Sequence, residues 1–277
     1  MQYFLTSELA RVLARQGRLL EAENAARESV LDFWNMKKDH WRKKRKWQRL
    51  ENPQLNDAGP APFAHRLSTI LYEQGRYREA EMIARASIHN YQLSCTPANS
   101  VEAAQARRGL AESLAAQEQW TEAAALFETI RESMGSDQFS FEALFAGDPT
   151  WALALLNDGR EAEALAMLKK AHGILSGQLG AKHYETAETQ GTLGIALART
   201  GDRDSALAAF GESVVILLKR SRQSSKENTS QAVLSKRRGM ILDAYTGLLA
   251  DVRGTDIERR AGIDAPTVSF TIADVAR

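Results

Sequence analysis

The sequence predicts an all-α solenoid of about five helical hairpins followed by C-terminal capping helices. Three observations lead to this fold class. One pattern of apolar, small and turn residues occurs five times along the 277 residues, and repetition with a period of about 20–50 residues is typical of solenoids. Within each pattern, large apolar residues lie four positions apart, which places them on one face of a helix. A turn residue at the centre of each pattern separates two helices.

The repeats align on their turn residues. A small residue lies seven positions before each turn and an alanine lies five positions after it. The turn residues are Gly17, Gly75, Glu118, Gly159 and Gly201. The small residues are Ala10, Ser68, Ala111, Ala152 and Gly194, and the alanines are Ala22, Ala80, Ala123, Ala164 and Ala206. Small side chains at these positions let two helices approach closely, and each hairpin leaves an apolar face for its neighbour to cover.

Two repeats depart from the pattern. The third has Glu118 where the others have glycine. In the fourth, Asp148 precedes Pro149, and this pair is typical of an N-cap followed by a proline in the first turn. We therefore expect the first helix of the fourth repeat to be short.

These five units resemble the tetratricopeptide repeat. Successive turns lie 58, 43, 41 and 42 residues apart, whereas the plain repeat has about 34 residues, so the chain is similar to the long-repeat subclass of the kinesin light chains. The resemblance implies a right-handed superhelix with a concave groove that is lined by the first helix of each hairpin. It also implies that a peptide or helix of a protein partner binds in this groove.

The resemblance sets the expected domain organisation. The repeat array spans residues 1–220, and a linker over 221–230 leads to capping helices over 231–277. Individual repeats are expected around residues 3–34, 61–94, 104–134, 145–176 and 187–218, with a basic, tryptophan-rich insertion over 35–60.

The positions between the packing residues of the first helices are expected to face the groove. They are polar in the first repeats and apolar in the fourth, which suggests a bound segment of mixed character. The expected groove residues are Arg11, His65, Thr69, Tyr72, Arg108, Glu112, Leu153 and Glu188.

The net charge of +1 conceals a strongly basic segment. Residues 37–49 contain eight Lys or Arg and one Asp, a net charge of +7, so the rest of the chain carries −6. Three interpretations of this segment stay open. It is a solvated extension of the second helix of the first repeat, a binding surface for an acidic protein, or a nucleic-acid contact in which indole rings stack on bases. The residues expected to carry such a contact are Trp41, Lys43, Lys44, Arg45, Lys46 and Trp47.

Enzyme signatures are missing from the sequence. There is no Gly-Lys-Ser/Thr phosphate loop, no Gly-x-Ser-x-Gly elbow and no His-Glu-x-x-His pair. The single Cys95 excludes internal disulfides and cysteine-cluster metal sites. We therefore expect no catalytic residue, no metal site and no cofactor in this chain.

The expected partner is a protein or peptide, nucleic acid is the second candidate, and the oligomeric state is left open. No apolar run approaches the ~20 residues that span a bilayer, so no membrane contact is expected. The N-terminus lacks the features of a secretion signal, which favours the cytoplasm. A periplasmic or secreted location would require that a signal has been removed.

The C-terminal residues carry a second resemblance. Phe270, Ala273, Asp274, Ala276 and Arg277 match in order a helix that often joins tetratricopeptide arrays to caspase-like CHAT protease domains in bacterial proteins. The resemblance implies that this chain is the regulatory or sensor region of a larger effector. The sequence also ends inside a helical pattern, which suggests a fragment. A free-standing adaptor with the same fold is the alternative.

Overall fold

The computed structural model describes residues 2–44, 60–224 and 232–276. These residues form fourteen helices and no strand, which confirms the all-α prediction. The helices are α1 (Gln2–Arg15), α2 (Leu19–Lys44), α3 (Ala61–Glu73), α4 (Tyr77–Leu93), α5 (Val101–Ala116), α6 (Trp120–Ser133), α7 (Gln138–Leu144), α8 (Pro149–Asn157), α9 (Glu161–Leu179), α10 (Tyr184–Arg199), α11 (Arg203–Ser224), α12 (Ala232–Val252), α13 (Asp256–Ala261) and α14 (Ala265–Ala276).

Five hairpins turn at the residues that the sequence predicts: α1–α2, α3–α4, α5–α6, α8–α9 and α10–α11. The backbone φ is +75° at Gly17, +80° at Gly75, +65° at Glu118, +79° at Gly159 and +90° at Gly201. Glycine adopts this left-handed conformation without strain, because it has no Cβ. Glu118 adopts it at a cost, since its Cβ crowds the backbone.

Small residues allow the two helices of a hairpin to pack closely. In the second hairpin the Ser68 hydroxyl donates a hydrogen bond to the backbone carbonyl of Ala80, with 2.8 Å between the oxygens. In the fifth, a Cβ added to Gly194 would lie 2.9 Å from the ring of Phe210, a distance that real Cβ contacts do not reach. These small positions therefore decide how near the helices come.

The fourth hairpin begins with a short helix, as predicted. Helix α8 has nine residues, and the Asp148 carboxylate accepts hydrogen bonds from the backbone N–H groups of Thr150 (2.8 Å) and Trp151 (3.3 Å). Pro149 occupies the first turn, where its missing N–H costs nothing. The two residues thus start the helix together.

The described helices form two compact units, and the division falls inside α7, between Phe141 and Glu142. Unit 1 contains α1–α6. Its first two hairpins share a core in which leucine and isoleucine side chains pack on alanines of α2 and α4. Unit 2 contains α8–α11, α12 from Leu234 onward, α13 and α14. Its fully buried side chains include Leu155, Phe210 and Leu217.

Two predicted segments are described only in part. The backbone of α2 is helical through Lys44, but its side chains from residue 36 onward lie outside the described residues, as do Arg45, Lys46 and Trp47. Helix α11 runs to Ser224, four residues into the segment expected to be a linker. The remainder of that segment also lies outside the described residues.

We predict that Glu118→Gly stabilises the protein. Glycine at this left-handed position removes the strain of a Cβ but adds freedom to the unfolded chain, for a net gain of about 1 kcal/mol. The free energy of unfolding in urea measures this gain. The matched control is Gly159→Ala at the equivalent turn, where a Cβ would have no atom within 4 Å; it should destabilise by a similar amount. Equal stabilities of wild type and Glu118→Gly would contradict the strain at Glu118.

Candidate functional site

The first helices of unit 1 present a charged surface. Helix α3 packs against both α1 and α5, and an ion pair connects α1 with α3. The Glu8 carboxylate lies 2.6 Å from the guanidinium of Arg11 on the same helix and 3.2 Å from that of Arg66 on α3. The sequence predicted Arg11 at this surface but missed Glu8, its partner, and Arg66, which shares that carboxylate. The reason is that helical periodicity identifies a face without identifying the neighbour across it.

His65 lies on α3, against α5. A Cβ added to Gly109 would lie 3.5 Å from its Cε1 atom, so the imidazole occupies the space that glycine leaves. Burial, and then the positive charges of Arg66 and Arg108, lower the pKa of His65 to about 4. Its Nδ1 has no hydrogen-bond partner among the described residues. His65 therefore contributes an uncharged ring to this surface.

Thr69 and Tyr72, also predicted on this surface, contact residues of their own hairpin. The Thr69 hydroxyl donates to the backbone carbonyl of His65 one turn earlier, at 3.1 Å. The Tyr72 ring packs on the core of unit 1, and its centroid lies 5.7 Å from that of Tyr77 on α4. These two side chains support the surface more than they extend from it.

Acidic residues of α3 and α5 form the other part of the surface. Arg108 Nε donates to the Glu112 carboxylate at 3.0 Å, so both predicted residues belong to one ion pair. Burial, together with the negative charge of Glu112, raises the pKa of Glu73 to about 7. Glu73 was not predicted, because nothing in its sequence context indicates that a carboxylate from the next hairpin lies nearby.

Unit 2 contains a pocket of about 320 Å³ between its first helices and α12. Buried apolar side chains from three helices form its floor: Leu153 of α8, Ile195 of α10 and Leu248 of α12. Of these, Leu153 was predicted. The rest of the lining comes from Asn157, Ala198, Arg199, Arg203, Met240, Ala244, Gly247 and Asp251. The pocket thus combines buried apolar side chains with exposed polar groups.

Arg199 is fixed at the edge of this pocket. Its Nη1 donates to the backbone carbonyl of Leu156 at 2.5 Å, and its Nη2 donates to the side-chain oxygen of Asn157 at 2.9 Å. Arg203 and Asp251 are exposed at the same edge. Two arginines and one aspartate give the edge a net positive charge.

Glu188 was expected to face the groove, but the structure places it under α12. It is only 5% exposed, and its Oε1 lies 3.3 Å from the Nε of Arg237. Nearby, a Cβ added to Gly191 would lie 2.8 Å from Ile241, so α12 packs tightly on α10. The sequence predicted only that α12 caps the array. Its small residues Ala244 and Gly247, which line the pocket, were the signal that space remains beside this helix.

The predicted basic contact cannot be placed, since its side chains lie outside the described residues. Within the described part of the chain, no group of three or more His, Cys, Asp or Glu residues could hold a metal ion. No described helix is both long and apolar enough to cross a bilayer.

Two stretches of the chain match models of a known protein family. Residues 65–137 and residues 149–219 each match a family model described as tetratricopeptide repeat, and together they cover just over half of the chain. No curated protein matches the sequence.

Several solved structures have a similar fold. One is a Podosopora anserina protein described as a kinesin light chain with nearly identical TPR-like repeats; it is 19% identical, with a TM-score of 0.50, and the match covers 82% of this chain and 98% of that one. A Rap protein in complex with competence and sporulation factor is 12% identical, with a TM-score of 0.56, covering 99% of this chain and 76% of that one. The apo form of RapI is 15% identical, with a TM-score of 0.56, and the match covers 100% of this chain and 96% of that one. At these identities the similarity shows the fold alone.

We predict that Glu73→Gln raises stability above pH 7. The folded-state pKa of Glu73 is about 7, above its ordinary value, so this group's contribution to stability is present at low pH and is lost as the pH rises to 7. At pH 8 the amide should therefore raise the free energy of unfolding by about 1–3 kcal/mol, and near pH 4 by almost nothing. Urea unfolding across this range measures the difference.

His65 also makes stability depend on pH, with the opposite sign: its lowered pKa stabilises the folded protein at neutral pH, and this stabilisation is lost as the pH falls toward 4. Wild type and variant both contain His65, so its contribution cancels when their stabilities are compared at the same pH. The matched control is Glu79→Gln on α4, where the hydrogen bond from Arg76 lowers the pKa of the carboxyl. This control should not gain stability at pH 8. A Glu73→Gln effect that is the same at pH 4 and pH 8 would rule out the raised pKa.

Proposed function

Because this chain belongs to the tetratricopeptide-repeat family, we propose that it is a protein-interaction scaffold whose unit 2 pocket binds a segment of a partner protein. The observation that carries the proposal is the apolar floor of that pocket, formed by Leu153, Ile195 and Leu248. Apolar concavities with a few fixed polar groups are the usual form of a binding site.

The pocket chemistry specifies the bound segment. An apolar side chain fits a depression of about 320 Å³ and contacts Leu153, Ile195 and Leu248. Arg199, held by Asn157 and the Leu156 carbonyl, pairs with an acidic residue next to that apolar side chain. Because Arg199 is already ordered, this contact loses little side-chain entropy on binding.

The Rap structure supports the proposal by analogy of fold. That protein was solved in complex with competence and sporulation factor, and its fold matches 99% of this chain. A helical repeat of this kind therefore serves as a binding scaffold in at least one protein of similar fold.

We further propose that the surface of unit 1 formed by Arg11, His65, Arg108 and Glu112 provides a second, polar contact. Its charged groups already pair with one another, so a partner must exchange existing ion pairs for new ones. Such exchange contributes more to specificity than to affinity. The pocket of unit 2 is therefore the main source of binding energy.

In its more specific form, the proposal is that this chain is the regulatory region of a larger effector protein, such as a CHAT-type protease. Its support is the pattern from Phe270 to Arg277, which resembles the helix that joins such domains; Phe270 is 75% exposed on α14, while Arg277 lies outside the described residues. Partner binding would alter how the repeats restrain the effector. A Cys–His protease domain encoded after Arg277 supports this role, and a stop codon there supports a free-standing adaptor.

Nucleic-acid binding by residues 37–49 is the alternative function, and it is favoured by their net charge of +7. Changing Lys43, Lys44, Arg45 and Lys46 to Gln should then abolish a salt-dependent affinity for RNA or DNA. Filter binding at low and moderate salt measures it. If the wild type binds neither nucleic acid at low salt, this alternative is wrong.

We predict that Gly247→Leu weakens partner binding. A Cβ at Gly247 would have no atom within 4 Å, so leucine fits α12, favours the helix and fills the pocket. Peptides selected from a random display library on the wild-type protein serve as ligands, and fluorescence anisotropy gives their affinities. The dissociation constant should rise by about 10- to 100-fold, the effect of losing one anchor side chain.

The matched control is Gly239→Leu. It lies on the same helix, also has no atom within 4 Å of an added Cβ, and lies outside the pocket, so it should leave the affinity unchanged. Selected peptides that bind Gly247→Leu as tightly as the wild type would show that the pocket is not the binding site.

A further inference from the structure

Three arginines surround a single carboxylate on the polar surface of unit 1. The Glu8 carboxylate binds Arg11 of α1 through one oxygen, at 2.6 Å, and Arg66 of α3 through the other, at 3.2 Å. The hydrogen bond from Arg11 lowers the pKa of Glu8, and the positive charges of Arg66 and Arg15 lower it further. Arg15 is exposed and has no ion-pair partner among the described residues. We call Arg11, Arg15 and Arg66 the arginine cluster.

The cluster lies at the repeat positions that line the pocket of unit 2. Counted along the chain, Arg11 lies six residues and Arg15 two residues before the turn at Gly17. In the fourth and fifth repeats, all four residues at these two positions line the pocket: Leu153, Ile195, Asn157 and Arg199. Equivalent positions of similar hairpins face the same side of their repeats. Arg11 and Arg15 therefore lie on the side of α1 that corresponds to a binding surface.

The cluster has more positive charge than its neighbours compensate. Three guanidinium groups against the one carboxylate leave a net charge of +2. His65, the residue before Arg66, adds no charge, because burial lowers its pKa to about 4. Arg108 is paired with Glu112 on α5. The pKa of Glu73 responds to Glu112, so this carboxyl belongs with the charges of α5. An excess of two positive charges thus remains on the side of α1.

Arg66 makes this excess costly. Its side chain is 26% exposed, and its Nε is shielded from solvent without a hydrogen-bond partner among the described residues. Burial lowers the pKa of Arg66, Glu8 opposes this effect, and the charges of Arg11 and Arg15 lower the pKa further. Three positive groups therefore repel one another where one of them is poorly solvated. A bound anion stabilises all three.

We propose that the arginine cluster binds a phosphorylated side chain of a partner protein. This inference rests on the proposed scaffold function and specifies the chemistry of its polar contact. A phosphorylated serine carries a charge of about −1.5 to −2 near neutral pH and three acceptor oxygens, which match an excess of two charges and three guanidinium groups. A carboxylate has a single negative charge and compensates half of the excess. Arginine also binds phosphate through two parallel hydrogen bonds, which lysine does not.

The cluster retains enough donors for this ligand. Arg11 donates to Glu8 through Nε and Nη2, and Arg66 donates through Nη2. A guanidinium group has five N–H donors, so both arginines keep donors while they hold Glu8. Arg15 contributes its whole fork, since it has no ion pair to give up. This part of the polar contact therefore forms without breaking an existing ion pair.

Peptides with a fixed phosphoserine test the proposal. An array of random sequences around a central phosphoserine, probed with the full 277-residue chain, identifies the peptide that binds most tightly. That peptide is then made with phosphoserine, serine or glutamate at the centre, and fluorescence anisotropy gives each affinity in about 150 mM salt, where long-range attraction is screened. The phosphoserine peptide should bind at least about tenfold more tightly than either of the others.

Arg15→Gln assigns this preference to the cluster. The side chain is exposed and unpaired, so the variant should fold normally, which circular dichroism and the melting temperature verify. It should weaken binding of the phosphoserine peptide at least about tenfold and leave the serine peptide unchanged. The matched control is Arg85→Gln on α4, which removes the same charge from an exposed arginine that pairs with Glu81. This control should keep the affinity of the wild type.

The pocket variant Gly247→Leu separates this inference from the proposed function. The preference for phosphoserine over serine should persist in it, whether or not the pocket contributes to affinity. A preference that is lost in Gly247→Leu and kept in Arg15→Gln assigns the phosphate to the pocket edge; this overturns the inference and leaves the proposed function standing. The inference is also wrong if no array peptide prefers phosphoserine to serine, or if glutamate binds as tightly as phosphoserine.

Discussion

The close approach of two helices at a small residue is the constraint on which the rest of the structure depends. In the hairpin of α10 and α11, the ring of Phe210 occupies the space where a side chain on Gly194 would begin. In the hairpin of α3 and α4, the Ser68 hydroxyl donates a hydrogen bond directly to the backbone carbonyl of Ala80. Because the helices pack so closely, each hairpin is thin and cannot bury its own apolar faces. Stacking on a neighbour is the only way to complete the core.

Stacking also determines where binding surfaces can form. The second helix of one hairpin covers the first helix of the next, so one side of each first helix stays available. In unit 1 this side carries charged residues that pair with each other, as Arg108 does with Glu112. In unit 2 it carries Leu153 and Ile195, and α12 adds a third wall to enclose a pocket. One architecture thus produces a polar surface in one unit and an apolar pocket in the other.

The features predicted correctly from the sequence are local ones. Positive φ at the four glycine turns, and the Asp148 cap before Pro149, follow from backbone preferences that act within a few residues. The features that were missed depend on contacts between helices distant in sequence. Burial of Glu188 beside Arg237 requires α12 to lie across α10, and helical periodicity does not show which helix covers which. The raised pKa of Glu73 was missed for the same reason.

The central claim is that the pocket between α8, α10 and α12 is the place where a partner binds. Hydrogen–deuterium exchange of the protein, with and without a peptide selected on it, tests this claim most directly. Binding in the pocket predicts slower amide exchange in α8, α10 and α12, because the ligand suppresses local opening of the helices that it joins. Helices α4 and α6 should exchange at unchanged rates. Protection confined to helices of unit 1, or to α14, would contradict the account.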